Sequence, residues 1–130
     1  MTIDYRPLTI MKTDNQVLTD SKSFALRIIR LYNYLKEDKN VIVLSKQVLK
    51  SGTSIGANIR ESVNAQSRMD FINKLNIALK EANETEYWLE LLHESDYLDD
   101  KQFESIYNDC GRIAATLTKI IKTTKDVAEK

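Results

Sequence analysis

The stretch Phe24-Ala25-Leu26-Arg27-Ile28-Ile29-Arg30-Leu31-Tyr32-Asn33-Tyr34-Leu35 decides how the rest of the chain is read. Phe24, Ile28, Leu31 and Leu35 recur at spacings of four, three and four. On a helix of about 3.6 residues per turn that pattern stacks them on one face, the seam of a packed amphipathic helix. Ala25, Ile29 and Tyr32 widen the stripe. The expected helix runs from about Asp20 to Glu37 and stops at the polar turn Glu37-Asp38-Lys39-Asn40.

The same period returns further along. Asn40 is expected to cap a second helix over about Val41 to Ala65, with Val41, Leu44, Val48, Ile55 and Ile59 inward. Ser67 with Asp70, and Asp99 with Gln102, have the spacing of capping boxes. They open a third helix on Phe71, Leu75, Ala78, Ala82, Leu89 and Leu92, and a fourth on Phe103, Ile106, Cys110, Ile113, Leu117 and Ile120. Connections of a few residues make successive helices antiparallel neighbours. The expected fold is therefore all-α, an up-down-up-down four-helix bundle over residues 19–124. Residues 1–18 are read as an arm or tail, and residues 125–130 as a frayed end.

Composition agrees. In 130 residues there are only 3 Gly and 1 Pro, too few breakers for a turn-rich β fold. No apolar run approaches the roughly 20 residues that span a bilayer. Met1 to Pro7 lacks the pattern of a secretory leader, so a cytoplasmic protein is expected. Lys+Arg and Asp+Glu are 19 each, and this balance lacks the basic excess by which nucleic-acid binders neutralise phosphates.

The parts of common active sites are missing. The one cysteine, Cys110, sits in an apolar periodic stretch and reads as a small core residue. Glu90 and His93 have the spacing used in carboxylate di-iron bundles, but such sites need the pair twice, and His93 is the only histidine. The run around Gly52 and Gly56 lacks the lysine of a phosphate loop and follows no strand. Four residues apart, the two glycines share a helix face and are expected to let another helix approach closely. No catalytic residue, metal site or cofactor is expected.

A polar stripe is the most informative feature. Ser51, Ser54, Asn58 and Glu61 follow one another at spacings of three, four and three beside the Ile55–Ile59 seam. On the third helix Lys74, Glu81, Glu84 and Trp88 run beside Ala78, Ala82 and Leu89. Polar groups so close to a core need partners, since an unmet one costs about 1–3 kcal/mol. They form either a solvated flank or a partly buried network at a helix–helix or subunit interface. The aromatics Tyr87 and Trp88 favour the interface.

The run from Leu49 to Glu61, LKSGTSIGANIRE, followed by Asp70 to Leu89, resembles the signature of the bacterial four helix bundle protein family, also called the 23S rRNA intervening-sequence protein family. Lys50 stands where many relatives carry arginine. The resemblance implies a bundle assembled into a ring, typically a homopentamer, with some relatives encoded inside 23S rRNA genes and no established molecular function. A more distant resemblance reaches the basic accessory protein of diversity-generating retroelements. Two functions follow as expectations: a non-enzymatic oligomeric scaffold, or an RNA- or DNA-binding accessory module. A continuous basic stripe from Lys22, Arg27, Arg30 and Lys36, or from Lys119, Lys122 and Lys125, would favour the second.

Overall fold

The computed structural model describes residues 8–128, with the side chains of residues 15–127. Four helices make up the fold: α1 (Leu8–Glu37), α2 (Val43–Val63), α3 (Arg68–Glu94) and α4 (Asp100–Ala128). Each packs against two others in a closed cycle, α1 on α2, α2 on α3, α3 on α4 and α4 on α1, with no diagonal packing among the described residues. The result is an all-α bundle around one core.

The expected seams fill that core. Phe24, Ile28 and Leu35 from α1 meet Val48, Ile55 and Ile59 from α2, Phe71, Leu75 and Leu89 from α3, and Leu117 and Ile120 from α4. Cys110 is fully buried, and its S–H donates to the Ala82 carbonyl at 3.4 Å. Burial, and then the charge of Glu86, push its thiol up to about 12, so it is a packing residue.

Both ends of the chain depart from expectation. α1 begins at Leu8, well before Asp20, so the expected arm over 1–18 is helical from residue 8; residues 1–7 lie outside the described residues. Ser21 and Val17 are buried one and two turns ahead of Phe24, and they carry the four-three rhythm backwards. Ser21 hid that continuity because a hydroxyl looks like a break in an apolar stripe. It is satisfied locally by donating to the Leu18 carbonyl at 3.2 Å. At the other end α4 continues to Ala128 in place of the frayed 125–130 segment; residues 129 and 130 lie outside the described residues. Thr124 is buried there and donates to the Ile120 carbonyl at 2.7 Å, again a hydroxyl in an apolar seam.

The turns follow their residues. Asn40 does not cap α2: at φ 56° it takes the left-handed conformation that closes α1, and the Val41 N–H reaches back to the Leu35 carbonyl at 2.8 Å. α2 starts after Ile42 with no side-chain cap. Ser67 accepts from the Asp70 N–H at 3.0 Å as the expected cap. The Asp70 carboxylate reaches past the cap residue to the Gln66 N–H at 3.2 Å, so the reciprocal bond of a capping box is not made. Asp96, at φ 66°, closes α3 as a Schellman turn, with Tyr97 N–H donating to Leu92 and Asp96 N–H to His93. Asp99 and Gln102 then exchange reciprocal bonds of 3.0 and 2.7 Å at the start of α4.

The two glycines of α2 sit where α1 comes closest. A Cβ at Gly52 would stand 2.7 Å from Ile28 Cγ1, and one at Gly56 would stand 3.3 Å from Ser21 Oγ. Gly111 on α4 has nothing within 4 Å of such an atom. Overpacking costs about 1–3 kcal/mol against a helix-propensity gain of about 1 kcal/mol for replacing glycine by alanine. Gly52→Ala is therefore expected to lose up to about 2 kcal/mol in urea unfolding, whereas Gly111→Ala gains up to about 1 kcal/mol.

Candidate functional site

The polar stripe lies along the seam of α2 and α3. Ser51 on α2 and Thr85 on α3 are both buried. Thr85 Oγ1 stands 2.9 Å from Ser51 Oγ and 2.8 Å from the Glu81 carbonyl oxygen. Each hydroxyl carries one proton and accepts others, so the two protons join two hydroxyls and a carbonyl with nothing left unmet. Further along the seam Lys74 Nζ lies 3.1 Å from the Glu61 carboxylate, and that hydrogen bond raises the lysine's pKa.

Other members of the stripe turn to their own backbone. Ser54 donates to the Lys50 carbonyl at 2.6 Å, and Asn58 Nδ2 donates to the Ser54 carbonyl at 2.8 Å. Glu81 is half-buried. Its carboxyl is pushed above the usual range, first by burial and then by the charge of Glu84 one turn on. Glu84 is exposed on the rim of an open groove of about 450 Å³, which Leu79, Lys80, Asn83, Tyr87 and Trp88 complete. Trp88 is half-buried, and its ring centroid lies 5.3 Å from that of the 55% exposed Tyr87.

Thus Ser51 and Glu61 reach across to α3, at Thr85 and Lys74, whereas Ser54 and Asn58 bond within α2, and Glu84 and Trp88 line a groove on α3 itself. Sequence reasoning missed Thr85, the residue that ties the helices together. A signal existed: Ala82 and Leu89 are seven residues apart, and Thr85 occupies the seam position between them.

The family of 23S rRNA-intervening sequence proteins matches residues 13–119. The chain belongs to that family. Among solved structures, a protein of unknown function from the S23 ribosomal protein family of Bacteroides thetaiotaomicron VPI-5482 shares 60% identity. The likeness covers 85% of this chain and 98% of that one, with a TM-score of 0.84. No curated protein matches the chain.

In this 23S rRNA-intervening sequence family member the α3–α4 seam carries a second polar set. The Tyr107 hydroxyl donates to Glu90 at 3.0 Å, and burial followed by that bond pushes the phenol up to about 12. Burial also raises the carboxyl of nearby Glu86. His93 stacks on Phe103 with centroids 4.2 Å apart and 7° between planes, and its Nε2 lies 2.7 Å from Asp100 Oδ1. The lone histidine is thus held between two helices, half-buried at the end of α3. Among the described residues no three His, Cys, Asp or Glu side chains gather as a metal site, and no helix is long and apolar enough to cross a membrane.

The raised pKa of Glu81 has a definite sign. Folding disfavours its charged form, so the penalty is full above the folded pKa and vanishes as pH falls through the folded value toward 4.5. Glu81→Gln is expected to raise Tm at pH 7, and the gain should disappear near pH 4. A Tm gain that does not depend on pH would contradict the assignment.

Proposed function

We propose that the chain is a non-enzymatic subunit of a homo-oligomeric scaffold: an antiparallel up-down-up-down bundle that assembles through its polar and aromatic flank into a ring. The antiparallel reading is supported by the order of partners, since Ser51 meets Thr85 whereas Glu61, later on α2, meets Lys74, earlier on α3. Five subunits is what the family resemblance implies. A cytoplasmic location fits a chain whose one cysteine is a buried thiol.

The observation that carries the reading is the Tyr87–Trp88 groove. Tyr87 and Ile77 are 55% and 41% exposed on the outer side of α3, beside a carboxyl that burial has already made costly to ionise. Large apolar and aromatic side chains grouped outside a bundle mark contact surfaces. On α1, Leu26 and Ile29 are likewise exposed.

The nucleic-acid alternative draws less support. Arg27 is engaged by Asp109 and Ser105 across the α1–α4 seam, and Lys36 rests 5.7 Å over the Tyr32 ring. Lys22 instead lines a hollow with Arg60 between α1 and α2. Lys22 and Arg27 thus face different seams of α1, which interrupts a continuous basic stripe along that helix.

Sedimentation equilibrium at micromolar concentration should give a multiple of 15.0 kDa. The double variant Ile77→Glu/Tyr87→Glu should sediment as a monomer with its helicity intact. A parent protein that is only monomeric would overturn the proposal.

A further inference from the structure

A grouping of charged side chains away from the α2–α3 flank lies where α4 meets α1. A cavity of about 360 Å³ opens there, walled by Asp20, Ser23, Arg27, Arg30, Asp109 and Arg112 over a floor of Phe24 and Ile113. Asp109 accepts from Arg27 Nη1 on one carboxylate oxygen and from Arg112 Nη2 on the other. Arg27 is braced again by Ser105, donating from Nη2 to Oγ at 2.9 Å and from Nη1 to the carbonyl at 3.4 Å. Arg30 has no ion-pair partner among the described residues. Asp20 is held by Gln16 Nε2 at 2.9 Å and stands two turns before Arg27.

Three guanidinium groups and two carboxylates, Asp20 and Asp109, therefore line the cavity, and Asp109 bridges two of the guanidiniums. Each guanidinium offers five N–H donors in a rigid fork that matches carboxylate or phosphate oxygens. Asp109 and Ser105 use only a few of them. The shared carboxylate also orders Arg27 and Arg112 before any ligand arrives, which lowers the entropic cost of binding. A tetrahedral phosphoryl group suits such a cluster better than a planar carboxylate, because it presents oxygens to donors in several directions, and the lining keeps one positive charge in excess to attract it.

The cavity has a continuation of different character. Arg27 and Arg30 also line a second cavity of about 440 Å³, which runs over Leu31, Tyr34, Leu98 and Ile106 and is rimmed by Lys101. Leu98 and Ile106 are buried core residues, so its floor is apolar. A basic cavity and an apolar one thus meet at two arginines.

We propose that these joined cavities bind a small organic phosphate, with the phosphoryl group among Arg27, Arg30 and Arg112 and an apolar or planar substituent laid along Leu31, Tyr34 and Ile106. The site shares no residue with the Tyr87–Trp88 groove.

Calorimetric titration of the full chain at constant ionic strength tests this with four probes: phenyl phosphate, inorganic phosphate, phenol and a short oligouridylate. Phenyl phosphate should bind saturably and about tenfold more tightly than inorganic phosphate, because its ring buries apolar surface along the second cavity. Phenol should not bind, because it makes none of the charge-assisted hydrogen bonds, each of which strengthens binding roughly tenfold or more. Arg30→Gln and Arg112→Gln should each weaken phenyl phosphate about tenfold while circular dichroism stays unchanged, since the Arg112 side chain is 72% exposed and Arg30 is exposed as well. No saturable binding of phenyl phosphate below about 10 mM, a weak limit corresponding to roughly 3 kcal/mol, would overturn the proposal. So would unchanged affinity in both variants, or an oligouridylate that binds more tightly than phenyl phosphate through the same arginines.

Discussion

The close approach of α1 to α2 at Ile28 and Gly52 is the constraint on which the rest of the bundle depends. A Cβ at Gly52 would lie 2.7 Å from Ile28, so the two helices meet at a distance that no larger side chain permits. That contact draws Ile28 to full burial between neighbouring helices and closes one side of the four-helix cycle. Two glycines inside α2 each weaken the isolated helix by about 1 kcal/mol, and the intimate packing they allow offsets it.

From that contact the functional surfaces follow. With α1 packed against its glycine face, α2 turns Ser51 toward α3, where Thr85 completes a buried hydroxyl pair, and Glu61 toward Lys74. The same arrangement leaves the Tyr87–Trp88 pair and Glu84 on the outside. On the opposite side α1 meets α4 through arginines and Asp109 in place of a dry seam, and cavities remain there. One helix pair is thus sealed by small residues, while another is bridged by charge and left open.

The fold was legible in the chain because its apolar period is regular where it counts. Phe24 to Leu35 announce α1, and Ser67–Asp70 and Asp99–Gln102 announce two helix starts, the second a reciprocal capping box and the first a one-way cap on Ser67. What escaped reading were hydroxyls in core positions. Ser21, Thr85 and Thr124 bond to carbonyls one turn back and so pass as small apolar residues inside a helix, yet in a sequence they interrupt the stripe. That is why α1 and α4 run longer than their patterns showed. Asn40 departs from its expected role for a related reason: the same residue type that caps a helix start also tolerates the left-handed conformation that ends one. The polar stripe was visible from spacing, but the Arg27–Asp109–Arg112 clasp joins residues far apart in the chain and only folding brings it together.

Ile28 and Gly52 compete for one space, and the packing of the bundle rests most heavily on that competition. The direct measurement is the unfolding free energy of Gly52→Ala in two backgrounds, the parent chain and Ile28→Ala. Removing the isoleucine opens a cavity that an added methyl group can partly fill. The methyl should therefore destabilise the parent and stabilise the Ile28→Ala chain, a reversal of sign that reports coupling between neighbours. The same change in both backgrounds would show that the two residues do not share that space, and would contradict the packing on which the bundle is built.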